Sequence, residues 1–87
     1  MVEEVDVVST LERVRQIVAA VLRVEPATVT PSARLADLAE LDSLSLAEIA
    51  SALDDEFAVR VPADDLTTQQ TVDDLAAVVS RAPARTF

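Results

Sequence analysis

Asp42-Ser43-Leu44-Ser45-Leu46-Ala47-Glu48-Ile49-Ala50-Ser51-Ala52-Leu53-Asp54-Asp55-Glu56-Phe57 is the stretch that decides the fold. Leu46, Ile49, Ala50, Leu53 and Phe57 recur in it at i, i+3, i+4, i+7 and i+11. That spacing predicts an amphipathic helix of about four turns with one apolar stripe. Asp42 or Ser43 is the natural cap, since a short polar side chain there can accept from the unsatisfied amides of the first turn. Val59-Arg60-Val61-Pro62 closes the element, being β-branched and ended by proline. Val59 and Val61 alternate as in a strand, but no second strand is evident to pair with them, so an extended connector is expected.

On the N-terminal side, Ser9 and Glu12 have the spacing of a capping box, with Leu11, Val14, Val18, Val21 and Leu22 recurring at helical intervals behind them. A helix over residues 10–24 is expected. Pro26 and Pro31 push the residues before them out of helical geometry, so a long loop should run to about residue 41. Its apolar residues Val29, Leu35, Leu38 and Leu41 are too many for a free linker, and the loop should pack over the bundle. A loop of this length in a small domain is usually functional.

Residues 62–66 read as a short helical turn with proline at its start and Asp64 and Asp65 near its positive end. Thr71 caps a last helix that carries Val72, Leu75, Ala76 and Val79 and stops by Pro83. The expected fold is all-α, a four-helix bundle of three main helices plus one short helix, with a long first loop. Residues 9–82 form its one domain, residues 1–8 an extension that can fray, and residues 83–87 a loose tail.

Composition agrees with packed helices. Half of the 87 residues are apolar but only Phe57 and Phe87 are aromatic, so Leu, Val, Ile and Ala must fill the core. A chain of this size buries roughly 60% of its unfolded surface around one small core. Sixteen acidic residues against seven arginines give a net charge of −9, which excludes nucleic acid and anionic membranes as natural partners and favours encounter with basic protein patches. No stretch approaches the ~18 apolar residues of a membrane span, and the acidic start, Met1 to Asp6, is unlike a signal peptide. The absence of cysteine rules out a disulfide framework, and with no span or signal peptide a cytoplasmic protein is expected; the start at Met1 without a preceding linker makes a stand-alone protein the expectation, as a monomer.

Ser43 cannot act as a nucleophilic catalyst by the usual means. Serine catalysis needs a base within hydrogen-bond reach, and the chain has neither histidine nor lysine. Asp54-Asp55-Glu56 and Asp64-Asp65 lack the spacing and central glycine of a calcium loop, so no metal site is expected. The chain reads as a non-enzyme in which Ser43 is either a simple helix cap or a point of attachment.

The wider register favours attachment. Asp42-Ser43-Leu44-Ser45-Leu46-Ala47-Glu48-Ile49, then Leu53-Asp54-Asp55-Glu56-Phe57, then Val61-Pro62, then Thr71-Val72, with Asp37-Leu38 upstream, resembles the acyl carrier protein family of phosphopantetheine carriers over residues 9–82. The resemblance implies that a phosphopantetheinyl transferase moves 4′-phosphopantetheine from coenzyme A onto Ser43, and that acyl groups then ride on the arm as thioesters. It further implies partners with basic docking patches: an acyl-loading ligase or acyltransferase, and synthase or condensing enzymes. Asp42, Glu48, Asp54 and Asp55 occupy the matching acidic positions, with Leu44, Ala47 and Ser51 between them. Leu46, Ile49 and Leu53 occupy positions where a cargo chain can be held in this family.

Several positions depart from the common pattern. Leu38-Ala39-Glu40-Leu41 precedes Asp42 with one extra residue and no glycine, so the loop must turn differently; Leu41-Asp42-Ser43 is closer to D-alanyl carriers and to some stand-alone carriers of specialised metabolism. Ser45 stands where fatty-acid carriers commonly have an acid, and Arg60 lies in a connector that is often acidic. Gln69 and Gln70 replace apolar residues, which predicts loose packing there. These departures favour a discrete carrier in polyketide, lipopeptide or nonribosomal peptide assembly. The alternatives are a fatty-acid synthesis carrier and, from another class, an unmodified acidic helical adaptor.

Overall fold

The computed structural model describes residues 7–84, and these form an all-helical bundle. Helix α1 runs Val7–Leu22, the four-residue α2 Leu35–Leu38, α3 Ser43–Phe57 and α4 Val72–Arg81. α1 packs against both α3 and α4. The core between them is aliphatic: Val14, Val18, Val29, Leu35, Ile49, Leu53, Val72 and Leu75 are wholly buried. No polar or charged residue is buried among the described residues, so the interior carries no desolvation penalty from side chains. None of the described helices is long and apolar enough to cross a membrane.

Three expectations about the elements need correction. α1 already includes Val7 and Val8, so Ser9 lies inside the helix instead of capping it. Glu12 does not reach back to a cap; its carboxylate accepts from Arg15 Nη1 at 2.5 Å and Gln16 Nε2 at 2.9 Å, one turn ahead. The rest of the expected extension, residues 1–6, lies outside the described residues. α1 ends at Leu22, two residues early, because Arg23 turns left-handed with φ 59° and the Val24 amide closes back on the Ala19 carbonyl at 3.1 Å.

The long loop is more ordered than its sequence suggests. It contains a single 3-10 turn, Pro26–Thr28, and the α2 helix. Arg15 staples the first of these to α1, its Nε donating to the Val29 carbonyl at 2.6 Å and its Nη2 to the Pro26 carbonyl at 2.9 Å. α2 has no side-chain cap. Its first amides, Leu35 and Ala36, donate instead to the Gln70 and Thr68 carbonyls at 3.0 and 2.9 Å, and an antiparallel bridge pairs Arg34 with Thr71. The chain then leaves α2 in extended geometry at Ala39, with φ −167° and ψ 166°, which is how the approach to Asp42 dispenses with glycine.

The segment expected as a short helix over residues 62–66 is a 3-10 turn, Ala63–Asp65, packed on α3. The loop after it is not loose: Gln70 Nε2 donates to the Asp65 carbonyl at 3.0 Å, and its Oε1 accepts from the Thr67 amide at 2.9 Å. Thr71 caps α4 with a full capping box, its hydroxyl accepting from the Asp74 amide at 3.1 Å while the Asp74 carboxylate accepts from the Thr71 amide at 3.0 Å. Beyond α4 the chain is tied down at Pro83 and Ala84: Arg60 donates its amide to the Pro83 carbonyl at 3.0 Å, and Val59 bridges Ala84. The expected loose tail otherwise falls on residues 85–87, outside the described residues.

Candidate functional site

The site is built on the first turn of α3. Asp42 is the N-cap, in extended geometry at φ −125° and ψ −177°, and its carbonyl accepts the first intrahelical bond, from Leu46, at 3.1 Å. Its Oδ1 accepts from the Ser45 amide at 2.9 Å and from the Ser45 hydroxyl at 3.1 Å. These two bonds, the amide first, hold the Asp42 carboxyl below the usual aspartate range, because both favour the ionised form. Asp42, and not Ser43, does the capping. Ser43 is thereby released from that role: it is exposed, and among the described residues its hydroxyl has no hydrogen-bond partner.

Downstream, the helical period sorts the remaining candidates. Leu44, Ala47, Glu48, Ser51 and Asp55 are all exposed and fall at i, i+3, i+4, i+7 and i+11, one continuous face about 16 Å long leading away from Ser43. Leu44 is 67% exposed, the one large hydrophobic residue left in solvent among those described. Single exposed leucines are common, but one beside an unpartnered serine gives that end of the face an apolar knob.

Asp54 stands apart from this face. It is half-buried, and its Oδ1 accepts from the Val61 amide at 2.7 Å, which fixes the connector against the end of α3. Glu56 is likewise engaged, pairing with Arg13 Nε at 2.9 Å, while the Arg13 guanidinium lies 4.4 Å from the centre of the Phe57 ring. Of the candidates for cargo contact, Leu46 is half-buried and Ile49 and Leu53 are wholly buried in the core. Two surface grooves, of about 380 and 290 Å³, are lined by residues of the α4 end and connector and by residues of α1 with Glu56, and neither includes Ser43 or these three.

Among the described residues no cluster of histidine, cysteine or carboxylate side chains could hold a metal ion. The chain has no histidine or lysine to serve as a base, and the exposed Ser43 hydroxyl is open to an approaching group. Reading the sequence missed Ser45, whose hydroxyl joins the cap, and Arg13 and Arg15, which hold α1 to α3 and to the first loop. For Ser45 the signal was available, since a hydroxyl at the third position of a helix capped by aspartate lies within reach of that carboxylate.

The phosphopantetheine attachment site family matches residues 12–79 of this chain. The meromycolate extension acyl carrier protein of Mycolicibacterium aurum is 36% identical over 66 residues, covering 76% of this chain and 68% of that protein. An acyl carrier protein of Rhodococcus erythropolis is 39% identical over 69 residues, covering 79% of this chain and 76% of its own length. An acyl carrier protein of Thermosynechococcus vestitus is 40% identical over 65 residues, covering 75% and 80% respectively.

Proposed function

This chain belongs to the acyl carrier protein family, and from that premise we propose that Ser43 is its attachment point for 4′-phosphopantetheine, on which it carries acyl or aminoacyl intermediates as thioesters. The observation that carries the reading is the exposed, unpartnered Ser43 hydroxyl at the head of α3, freed by a cap that Asp42 supplies. The residues around it fit the group: nothing encloses the hydroxyl, and the positive end of a 15-residue helix lies beside it to favour a phosphodiester. Part of that positive end is already taken by the Asp42 carboxylate, so the phosphodiester would share the first turn with a second anion. When bound, the arm supplies the thiol that the polypeptide lacks.

In the modification step the Ser43 oxygen would bond to the coenzyme A phosphorus that carries the pantetheine as the pyrophosphate bond to the other phosphorus breaks, adenosine 3′,5′-bisphosphate leaving with the bonding electrons and the hydroxyl proton going to a base on the transferase. The exposed face from Leu44 to Asp55 is where the transferase, loading enzymes and synthase or condensing enzymes with basic patches would dock. Ile49 and Leu53 would meet a cargo chain only if the core parted.

For the pathway we favour discrete carriage in polyketide, lipopeptide or nonribosomal peptide assembly in the cytoplasm, on the strength of Ser45 and Arg60 where acids are usual. A fatty-acyl carrier is the second reading, favoured by the relatives named for meromycolate extension. The test is intact mass after incubation with coenzyme A, magnesium and a broad-specificity phosphopantetheinyl transferase. The expected result is a gain of one phosphopantetheine that Ser43→Ala abolishes; no gain, or a gain that survives the substitution, would overturn the reading.

A further inference from the structure

Resting on the reading of Ser43 as the attachment point, we propose that Ser45 is a positioning residue for that modification, holding the Asp42 carboxylate beside the Ser43 hydroxyl by a hydrogen bond from its own hydroxyl. The chain devotes two donors of one residue to one oxygen: the Ser45 amide at 2.9 Å and the Ser45 hydroxyl at 3.1 Å both fall on Asp42 Oδ1. A backbone amide alone satisfies a helix cap, so the hydroxyl is not needed for capping. Its added effect is to remove the freedom of the carboxylate about its last torsion, which is broad for aspartate when only one bond restrains it. Asp42 is exposed, so the carboxylate so held is open to an incoming donor or cation on the residue next to Ser43.

The arrangement also decides between two neighbouring serines. Ser45 is half-buried with its hydroxyl already donated, whereas Ser43 is exposed and unengaged, so only Ser43 is presented for modification. Ser45 thus contributes to the anionic character of this turn without carrying charge, by stabilising the ionised form of Asp42. The groups that lower the Asp42 pKa are all hydrogen-bond donors, the Ser45 amide and hydroxyl followed by the amides of Asp42 and Leu44, and no charged side chain of the loop or of a neighbouring helix is among them.

The test compares Ser45→Ala and Ser45→Thr, each alone and with Asp42→Asn, in the transferase reaction with coenzyme A and magnesium. Ser45→Ala should lower kcat/KM for modification by about three- to tenfold, the scale of one ordinary net hydrogen bond at an exposed site, while Ser45→Thr, which keeps the hydroxyl, should recover at least half the rate. In the Asp42→Asn background the Ser45→Ala effect should largely vanish, which a general loosening of the helix would not produce. Equal rates for Ser45→Ala and the parent, or a loss that persists undiminished with Asp42→Asn, would overturn the proposal. A second readout does not depend on modification: the Asp42 carboxyl carbon, followed by NMR, should titrate at higher pH in Ser45→Ala than in the parent, and an unchanged midpoint would overturn the proposal as well. If the parent itself takes no phosphopantetheine, the carrier reading fails, and the NMR titration still decides whether Ser45 holds the carboxylate.

Discussion

Ala58→Gly should stabilise this protein. The chain contains no glycine, yet α3 ends through Ala58 in the left-handed region, with φ 54° and ψ 48°. The Ala58 amide bonds the Asp54 carbonyl, and the Val59 amide returns to the same carbonyl at 3.2 Å, so the helix is closed by a left-handed C-terminal turn at a residue with a Cβ. A left-handed residue other than glycine is disfavoured by about 1–2 kcal/mol. Glycine removes that clash but gives the unfolded chain more freedom, which offsets about 0.4–1 kcal/mol of the gain. The two ranges leave a net stabilisation centred on roughly 0.8 kcal/mol, or about 3–6 °C in Tm for a domain of this size. Thermal unfolding by circular dichroism, with Ala52→Gly inside the same helix as a control that should destabilise by up to about 1 kcal/mol, measures it directly. An unchanged or lowered Tm for Ala58→Gly would refute the argument that the αL conformation here is imposed by the closure.

Two further outcomes follow from the site. Glu48→Arg should slow transferase-catalysed modification several-fold at low ionic strength, with the rates converging once salt shortens the screening length to about 3 Å near 1 M; Asp54→Ala should instead lower stability, by about 1–3 kcal/mol, because it leaves the Val61 amide without its acceptor. A salt-independent Glu48→Arg effect, or an Asp54→Ala protein as stable as its parent, would contradict the division of roles drawn here. With pH, the hydrogen bonds that lower the Asp42 and Glu12 carboxyls contribute stability that is fully present above the ordinary carboxylate range. That stability should be lost as pH falls through their depressed folded-state values, below about pH 4. With no histidine in the chain, no ordinary side chain titrates between pH 6 and 8, so Tm should be flat there.

Where the local sequence carries its own cap or stripe, the fold was legible. α3 and α4 are capped by Asp42 and Thr71, residues inside the segments they start, and periodicity found both helices. α2 was not legible because its cap comes from elsewhere: its first amides are satisfied by carbonyls of residues 68 and 70, some 30 positions away, and nothing near Leu35 announces a helix start. The start of α1 was misread for the opposite reason. Ser9 and Glu12 form an attractive local signal, but the helix continues through it, and Glu12 is drawn forward by Arg15 and Gln16. Gln70 shows the same limit at side-chain level: it reads as an apolar position lost, yet its amide ties the loop at two points.

The acidic run at the end of α3 shows what a charge count hides. Asp54, Asp55 and Glu56 look equivalent in sequence, yet a helix turns consecutive residues by about 100°, so they must face three different neighbours. Asp54 faces the connector and holds the Val61 amide; Glu56 faces α1 and meets Arg13; Asp55 lies on the exposed face with Glu48 and Leu44. Asp54 and Glu56 therefore secure the end of α3 against the connector and α1. A flexible helix would have to be ordered at each encounter, whereas one fixed at its far end by Asp54 and Glu56 presents Ser43 and Leu44 already in place. Consecutive acids are thus sent to different neighbours by register, and only the register relative to Val61 and Arg13, which is a tertiary fact, assigns Asp54 and Glu56 to theirs.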